Sequence, residues 1–137
     1  MPTELKTEYR NVRFQCERRE VPRHFYIITA WNPDGVTIDD SANQRADESL
    51  RSEIEDRRYE FFPVTGGSPD FSHIEPGYGI VCARSNALAL ARQFCQEALF
   101  EVIDNRVILV SALDDPGPDE DTGTWSALCR NHETPPS

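Results

Sequence analysis

Between residues 25 and 112 the hydrophobic periodicity switches from strand-like runs to helical stripes and back, twice over. Few architectures accommodate that. Phe25–Trp31 (FYIITAW) is a run of aromatic and β-branched residues of the kind that fits a pleated, buried strand. Downstream, Ala42, Ala46, Leu50 and Ile54 recur every fourth residue, one apolar stripe of a helix reaching about Arg58. Ser41-Ala42-Asn43-Gln44 has the S-x-x-Q form of a capping box, which predicts a helix start near Ala42. Tyr59–Val64 and Tyr78–Ala83 read as the next strands. A second helix, capped by Ser85, places Ala87, Leu88, Ala91, Phe94, Cys95, Ala98 and Leu99 on one face. Leu99–Ile103 and Arg106–Ala112 then form a hairpin around Asp104-Asn105.

With a further short strand at Tyr9–Cys16, the order is β-β-α-β-β-α-β-β. The expected class is α+β, a single-layer mixed or antiparallel sheet packed by two helices. The inner β-α-β-β-α-β succession has the form of a ferredoxin-like split motif, with an extra N-terminal strand and a C-terminal hairpin. Residues 1–113 make one domain. From Asp114 the composition changes: 24 residues hold four prolines, two glycines and six acidic residues against Arg130 alone. That predicts a disordered acidic tail over 114–137, with Trp125, Leu128 and Cys129 as a short docking segment.

A formal charge of −10 argues against nucleic-acid or anionic-membrane partners, which need a basic patch. No apolar run is long enough to cross a bilayer, and no apolar leader segment is visible. Cys16, Cys82, Cys95 and Cys129 lie far apart with no C-x-x-C pair, so reduced, buried thiols and a cytoplasmic setting are expected. No spacing calls for a metal or a cofactor, and the P-loop, G-x-G-x-x-G, G-x-S-x-G and H-E-x-x-H patterns are missing.

Polar groups collect at three places that the apolar pattern does not explain. Asn32 precedes Pro33, which biases it towards extended or turn conformations at the end of a strand. Its amide either closes a local Asx turn or points out of the sheet end. Asn43 lies about 40° from the centre of the first helical stripe, on the covered side, where an amide must find partners. The connection 65–77 (TGGSPDFSHIEPG) is long for a compact domain, as functional loops are. Within it His73 and Glu75 alternate, so in extended chain an imidazole and a carboxylate face one side, a base with an orienting acid. A solvated polar loop is the plainer reading. Gln96 falls far from the apolar face of the second helix and is expected to be exposed.

Taken in order, ITAWNP (28–33), Asn43, GGSPDFSHIEPG (66–77) and ARQFCQEALF (91–100) resemble a bacterial family of small proteins, the domain of unknown function 3293. The resemblance spans roughly residues 5 to 112. The family pattern is T-A-x-N-P, a helix Asn, an E-P pair before a strand, and F-G-Q near the second helix; here Cys95 stands at the Gly position. The resemblance implies a compact cytoplasmic α+β domain, supplies no activity, and singles out Asn32, Asn43, Glu75 and Gln96 as a set.

Two functional readings follow. In the first, the chain binds a small molecule or peptide between the 31–35 turn, the start of the first helix and the 65–77 loop. Asn32, Asn43 and Gln96 then orient the ligand, and His73 with Glu75 carries any proton transfer. In the second, it is a non-enzymatic interaction module that engages a protein through its acidic surface, its tail or an edge strand.

Overall fold

The structure, a computed structural model, describes residues 2–131. It is a mixed α+β fold: one eight-stranded sheet and three helices. The strands are β1 (Arg13–Cys16), β2 (His24–Thr29), β3 (Glu60–Gly67), β4 (Ile74–Val81), β5 (Ala98–Ile103), β6 (Arg106–Ser111), β7 (Glu120–Thr124) and β8 (Cys129–Asn131). The helices are α1 (Asp40–Asp56), α2 (Arg84–Gln93) and the single turn α3 (Trp125–Leu128). Strand order is β7-β6-β5-β2-β4-β3-β1-β8, antiparallel throughout except for the parallel pair β1–β8.

β2 is buried on both faces, and its alternation divides the core in two. Tyr26 and Ile28 face the helices, where Leu50 and Ile54 of α1 and Ala87, Leu90 and Ala91 of α2 cover them. Phe25 and Ile27 face the other way, into a second cluster with Phe14, Phe62, Phe100, Val102, Leu109, Trp125 and Leu128. No helix layer covers that side. The sheet covers it by curling on itself. In a flat sheet Phe14 on β1 and Phe100 on β5 would stand about 19 Å apart, four strand spacings. Their ring centroids are 5.2 Å apart, edge to face. The same curl lets α3, four residues long, bridge β7 and β8, the two edges of the sheet. Flat, those edges would be about 34 Å apart, beyond the roughly 18 Å that five residues of extended chain can span.

Several expectations change. The sheet is not a single layer with one covered face, because its concave side is filled by its own strands and by the C-terminal segment. Composition predicts disorder beyond Asp114, but Glu120–Asn131 forms β7, α3 and β8. Trp125 anchors it, 8 % exposed and packed on Phe14 and Phe25 at 5.5 and 5.4 Å. Asp119, Glu120 and Asp121 pair with Arg84, Arg10 and Arg106, so body arginines neutralise the acids that made the segment look solvated. The remainder of the acidic stretch, 132–137, lies outside the described residues.

Asp39, not Ser41, caps α1, its carboxylate accepting from the Ala42 N–H at 2.8 Å. Ala83 occupies the N-cap position of α2, with no side-chain cap from Ser85. The 65–77 connection shortens to residues 68–73, because β3 and β4 pair as far as Gly67 and Ile74. Pro63 sits inside β3 rather than ending it. There β1 has already stopped pairing, so its missing N–H interrupts no ladder on that edge. Asp104 and Asn105, both at positive φ (48° and 66°), make the two-residue turn of the β5–β6 hairpin. Cys95 is exposed, two residues past the end of the helix rather than on its apolar face. All four cysteines are free thiols.

Candidate functional site

The concave side of the sheet is filled at one end by aromatic rings and open at the other. The open end is a cavity of about 600 Å³. Its walls are alternate residues of five strands and their extensions: Val12 and Phe14, Ile27 and Thr29, Val64 and Gly66, Glu75 and Gly77, Ala98 and Phe100. Small residues account for the space. Gly66, Gly77 and Ala98 occupy inward positions where bulkier residues close the opposite end.

The polar wall is the Asn32 turn. Asn32 does not take the extended conformation that a following proline favours; it is left-handed (φ 49°, ψ 64°), as is Asp34 (φ 57°). Asn is among the few residues that adopt this region at modest cost, and here side-chain hydrogen bonds hold it. The Asn32 N–H donates to Asn43 Oδ1 at 2.8 Å, and the Ile38 N–H donates to Asn32 Oδ1 at 3.3 Å. Those two backbone donors fix which way both amides face. Asn43 Nδ2 must then donate to Asn32 Oδ1, at 3.0 Å, and Asn32 Nδ2 is left to donate to Glu75 Oε2, at 3.1 Å. Asn43 is 1 % exposed, so its half of the pair is closed to water, while Asn32 is half-buried at the cavity wall.

Glu75 ends this chain of bonds. It is half-buried, and burial pushes its carboxyl above the usual carboxylate value, offset in part by the Asn32 hydrogen bond. The opposite side is built by Tyr9, whose hydroxyl donates to Glu97 Oε1 at 3.1 Å. Burial and the neighbouring carboxylates of Glu97 and Glu75 push that phenol far above its ordinary range. Gln96 lies beyond the end of α2, so a helical wheel does not describe it. It is half-buried, and its Nε2 donates to the carbonyls of Trp31 and Phe94, both at 3.2 Å. Cys95, at φ 57°, turns its own carbonyl to accept from the Asp34 N–H at 2.7 Å. The backbone approach that a glycine would ease is made here with cysteine.

Of the residues singled out by sequence, Asn32, Asn43 and Glu75 form one hydrogen-bonded chain, and Gln96 lines the same cavity. His73 is exposed at the rim, with its backbone tied to Ser68. Among the described residues no hydrogen bond joins it to Glu75, whose carboxylate is met by Asn32 instead. Asp70 shapes the 68–73 turn by accepting from Ser68 and Ser72, and those bonds hold its carboxyl at about 2. Among the described residues no group of three or more His, Cys, Asp or Glu is placed to hold a metal. Tyr9, Trp31 and Glu97 carry no local signal. Tyr9 falls in a 3-10 turn (Thr7–Asn11), not in the strand expected there, and only the curl of the sheet brings it to Glu97.

A family model described as Protein of unknown function (DUF3293) matches residues 28–99. The chain belongs to this family. No curated protein and no solved structure matches it. The DUF3293 match begins in β2 and ends in β5, so it contains Asn32, Asn43, Glu75 and Gln96, the whole polar wall. Tyr9 and Phe14, which complete the cavity, lie outside the matched segment. Among the described residues, no helix is long and apolar enough to cross a membrane.

Proposed function

We propose that this DUF3293 chain is a binding domain for a small organic molecule, held in the open end of the curled sheet. The observation that carries this reading is the junction of cavity and clamp. A space of about 600 Å³, within the range of ligand sites, is walled by apolar strand residues and crossed by one preorganised polar chain. Asn32 and Asn43 satisfy each other, so their part is positioning: they hold the left-handed turn and aim Glu75. Glu75 is the group with a carboxylate oxygen left to offer a ligand. The inner strand order β5-β2-β4-β3, linked through α1 and α2, supports the ferredoxin-like reading of this core. The ligand site would then lie on the face away from the helices.

A thermal-shift screen against a metabolite library tests the reading. A ligand at 100 times its dissociation constant stabilises by about 2.7 kcal/mol, a readily measured shift. The control is Gly66→Val. A Cβ at Gly66 meets Val12 Cγ1 at 3.6 Å, an ordinary contact, so the variant should fill part of the cavity, with its fold checked by its melting curve. Ligands should lose their effect on it. Compounds that stabilise both proteins equally would place binding elsewhere and sink the proposal.

A further inference from the structure

We infer that the cavity selects an organic cation, an amine or guanidinium compound with an apolar or aromatic body. This rests on the binding reading above. With the rim imidazole of His73 counted as neutral, the charge lining the cavity is of one sign. Glu75 stands inside, Glu8 and Asp40 stand at the rim, and among the described residues no lysine or arginine lines it. Lys6, the cation nearest the turn, is held outside by Glu97 at 3.6 Å and by the Gly35 carbonyl at 3.4 Å.

Hydrogen-bonding capacity points the same way. Next to Glu75, the side-chain amides and hydroxyls each have a protein acceptor: Asn32 has Glu75, Asn43 has Asn32, Thr29 has the Pro76 carbonyl, Gln96 has the Trp31 carbonyl and Tyr9 has Glu97. What these groups leave to face a ligand is acceptors, namely the second Glu75 oxygen, the Gln96 amide oxygen and the Tyr9 lone pairs, while the Trp31 indole N–H is a donor on the same lining. A ligand group that meets Glu75 must therefore donate. An anion would meet a carboxylate without a counter-charge, whereas an ammonium or guanidinium group would convert a desolvated carboxylate into a charge-assisted pair.

Trp31 supplies a second, independent element. It lines the cavity half-buried, and among the described residues it stacks on no other ring and carries no cation over its face. The other tryptophan, Trp125, is packed between phenylalanines. A free indole and a carboxylate lining one cavity supply the two elements that recognise organic cations. The apolar walls from Phe14, Ile27, Val64 and Phe100 require the rest of the ligand to be apolar.

The test uses three probes with one body and different heads: phenethylamine, phenethyl alcohol and phenylacetate, each titrated by calorimetry at pH 7.5. The amine should bind wild type about tenfold or more tightly than the alcohol, the worth of a charge-assisted hydrogen bond, and phenylacetate more weakly still. Glu75→Gln should erase the preference while keeping an acceptor for Asn32, with the fold checked by its melting curve. Gly66→Val should weaken amine and alcohol alike. If the alcohol or the acid binds as well as the amine and is displaced by Gly66→Val, the cation is refuted while the cavity stands as a ligand site. If none of the three binds at millimolar concentration, the cation proposal fails, and the library screen judges the cavity separately.

Discussion

Replacing Asn43 removes the one side chain that holds the Asn32 turn from the helix side, and the structure sets what that costs. In Asn43→Ala the Asn32 N–H loses its acceptor, and an orphaned, partly buried donor costs about 1–3 kcal/mol. The bond from Asn43 Nδ2 to Asn32 Oδ1 goes as well, about 1 kcal/mol. Alanine's higher helix propensity returns about 0.5 kcal/mol in α1. Relaxation of Asn32 out of its left-handed conformation caps the loss, since that conformation itself costs about 1–2 kcal/mol. The net is a destabilisation of about 2–3 kcal/mol, a fall in melting temperature of about 6–12 °C for a chain of this size. Asn43→Asp separates hydrogen bonding from packing. The acceptor for Asn32 N–H is kept, but an oxygen replaces the donor 3.0 Å from Asn32 Oδ1. Only the protonated carboxyl can restore that bond, so its folded-state pKa is raised. Its deficit relative to wild type should be full at pH 7 and shrink as pH falls towards 4. Urea unfolding at both pH values measures this. An Asn43→Ala loss below about 0.5 kcal/mol, the scale of an ordinary surface change, would refute the clamp. So would an Asn43→Asp deficit that ignores pH.

Two further outcomes test other parts of the account. Trp125→Ala should cost about 3–5 kcal/mol, because it empties the space between Phe14 and Phe25; a urea midpoint unchanged from wild type would mean that the C-terminal segment is not part of the core. Glu75→Gln should gain stability relative to wild type as pH rises above the ordinary carboxylate value of 4.5. Below that value both folded and unfolded chains carry the proton; above it the unfolded chain releases its proton first, and wild type alone bears the penalty. A difference that stays constant between pH 4 and 7 would refute the raised Glu75 pKa itself.

Legibility in the sequence followed the range of the interactions. Phe25–Thr29 of the expected Phe25–Trp31 strand, the Leu50–Ile54 stripe and the Asp104-Asn105 hairpin are local patterns, and each lies where its periodicity or turn chemistry puts it. Element ends were less legible, because caps and strand ends answer to partners. Asp39 outcompetes Ser41 as the cap, and pairing with β4 carries β3 through Pro63 and on to Gly67. The C-terminal segment misled for a physical reason. Its acids read as solvated charge, but Glu120, Asp119 and Asp121 are neutralised by Arg10, Arg84 and Arg106, partners 110, 35 and 15 residues away that no local window contains.

The candidate site divides along the same line. Asn32 and Asn43 could be singled out because each is a polar residue where the apolar pattern calls for something else. Eleven residues apart in the chain, they meet because α1 starts directly after the turn. Apart from the family resemblance, Glu75 was legible as one half of a His73–Glu75 pair, since alternation in extended chain puts those two on one side. Yet Gly66 pairs with Glu75 across the β3–β4 ladder, which turns Glu75 into the concavity while His73 stays on the connecting turn. Tyr9 and Glu97 are 88 residues apart, and nothing in either neighbourhood names the other. The polar wall lies within one contiguous stretch, 28–99, whereas the floor is gathered by the closure of the sheet. On the binding reading, substitutions at Asn32 or Asn43 should act on how Glu75 is presented, and substitutions at Gly66, Tyr9, Phe14 or Phe100 on the shape of ligand body the cavity would admit.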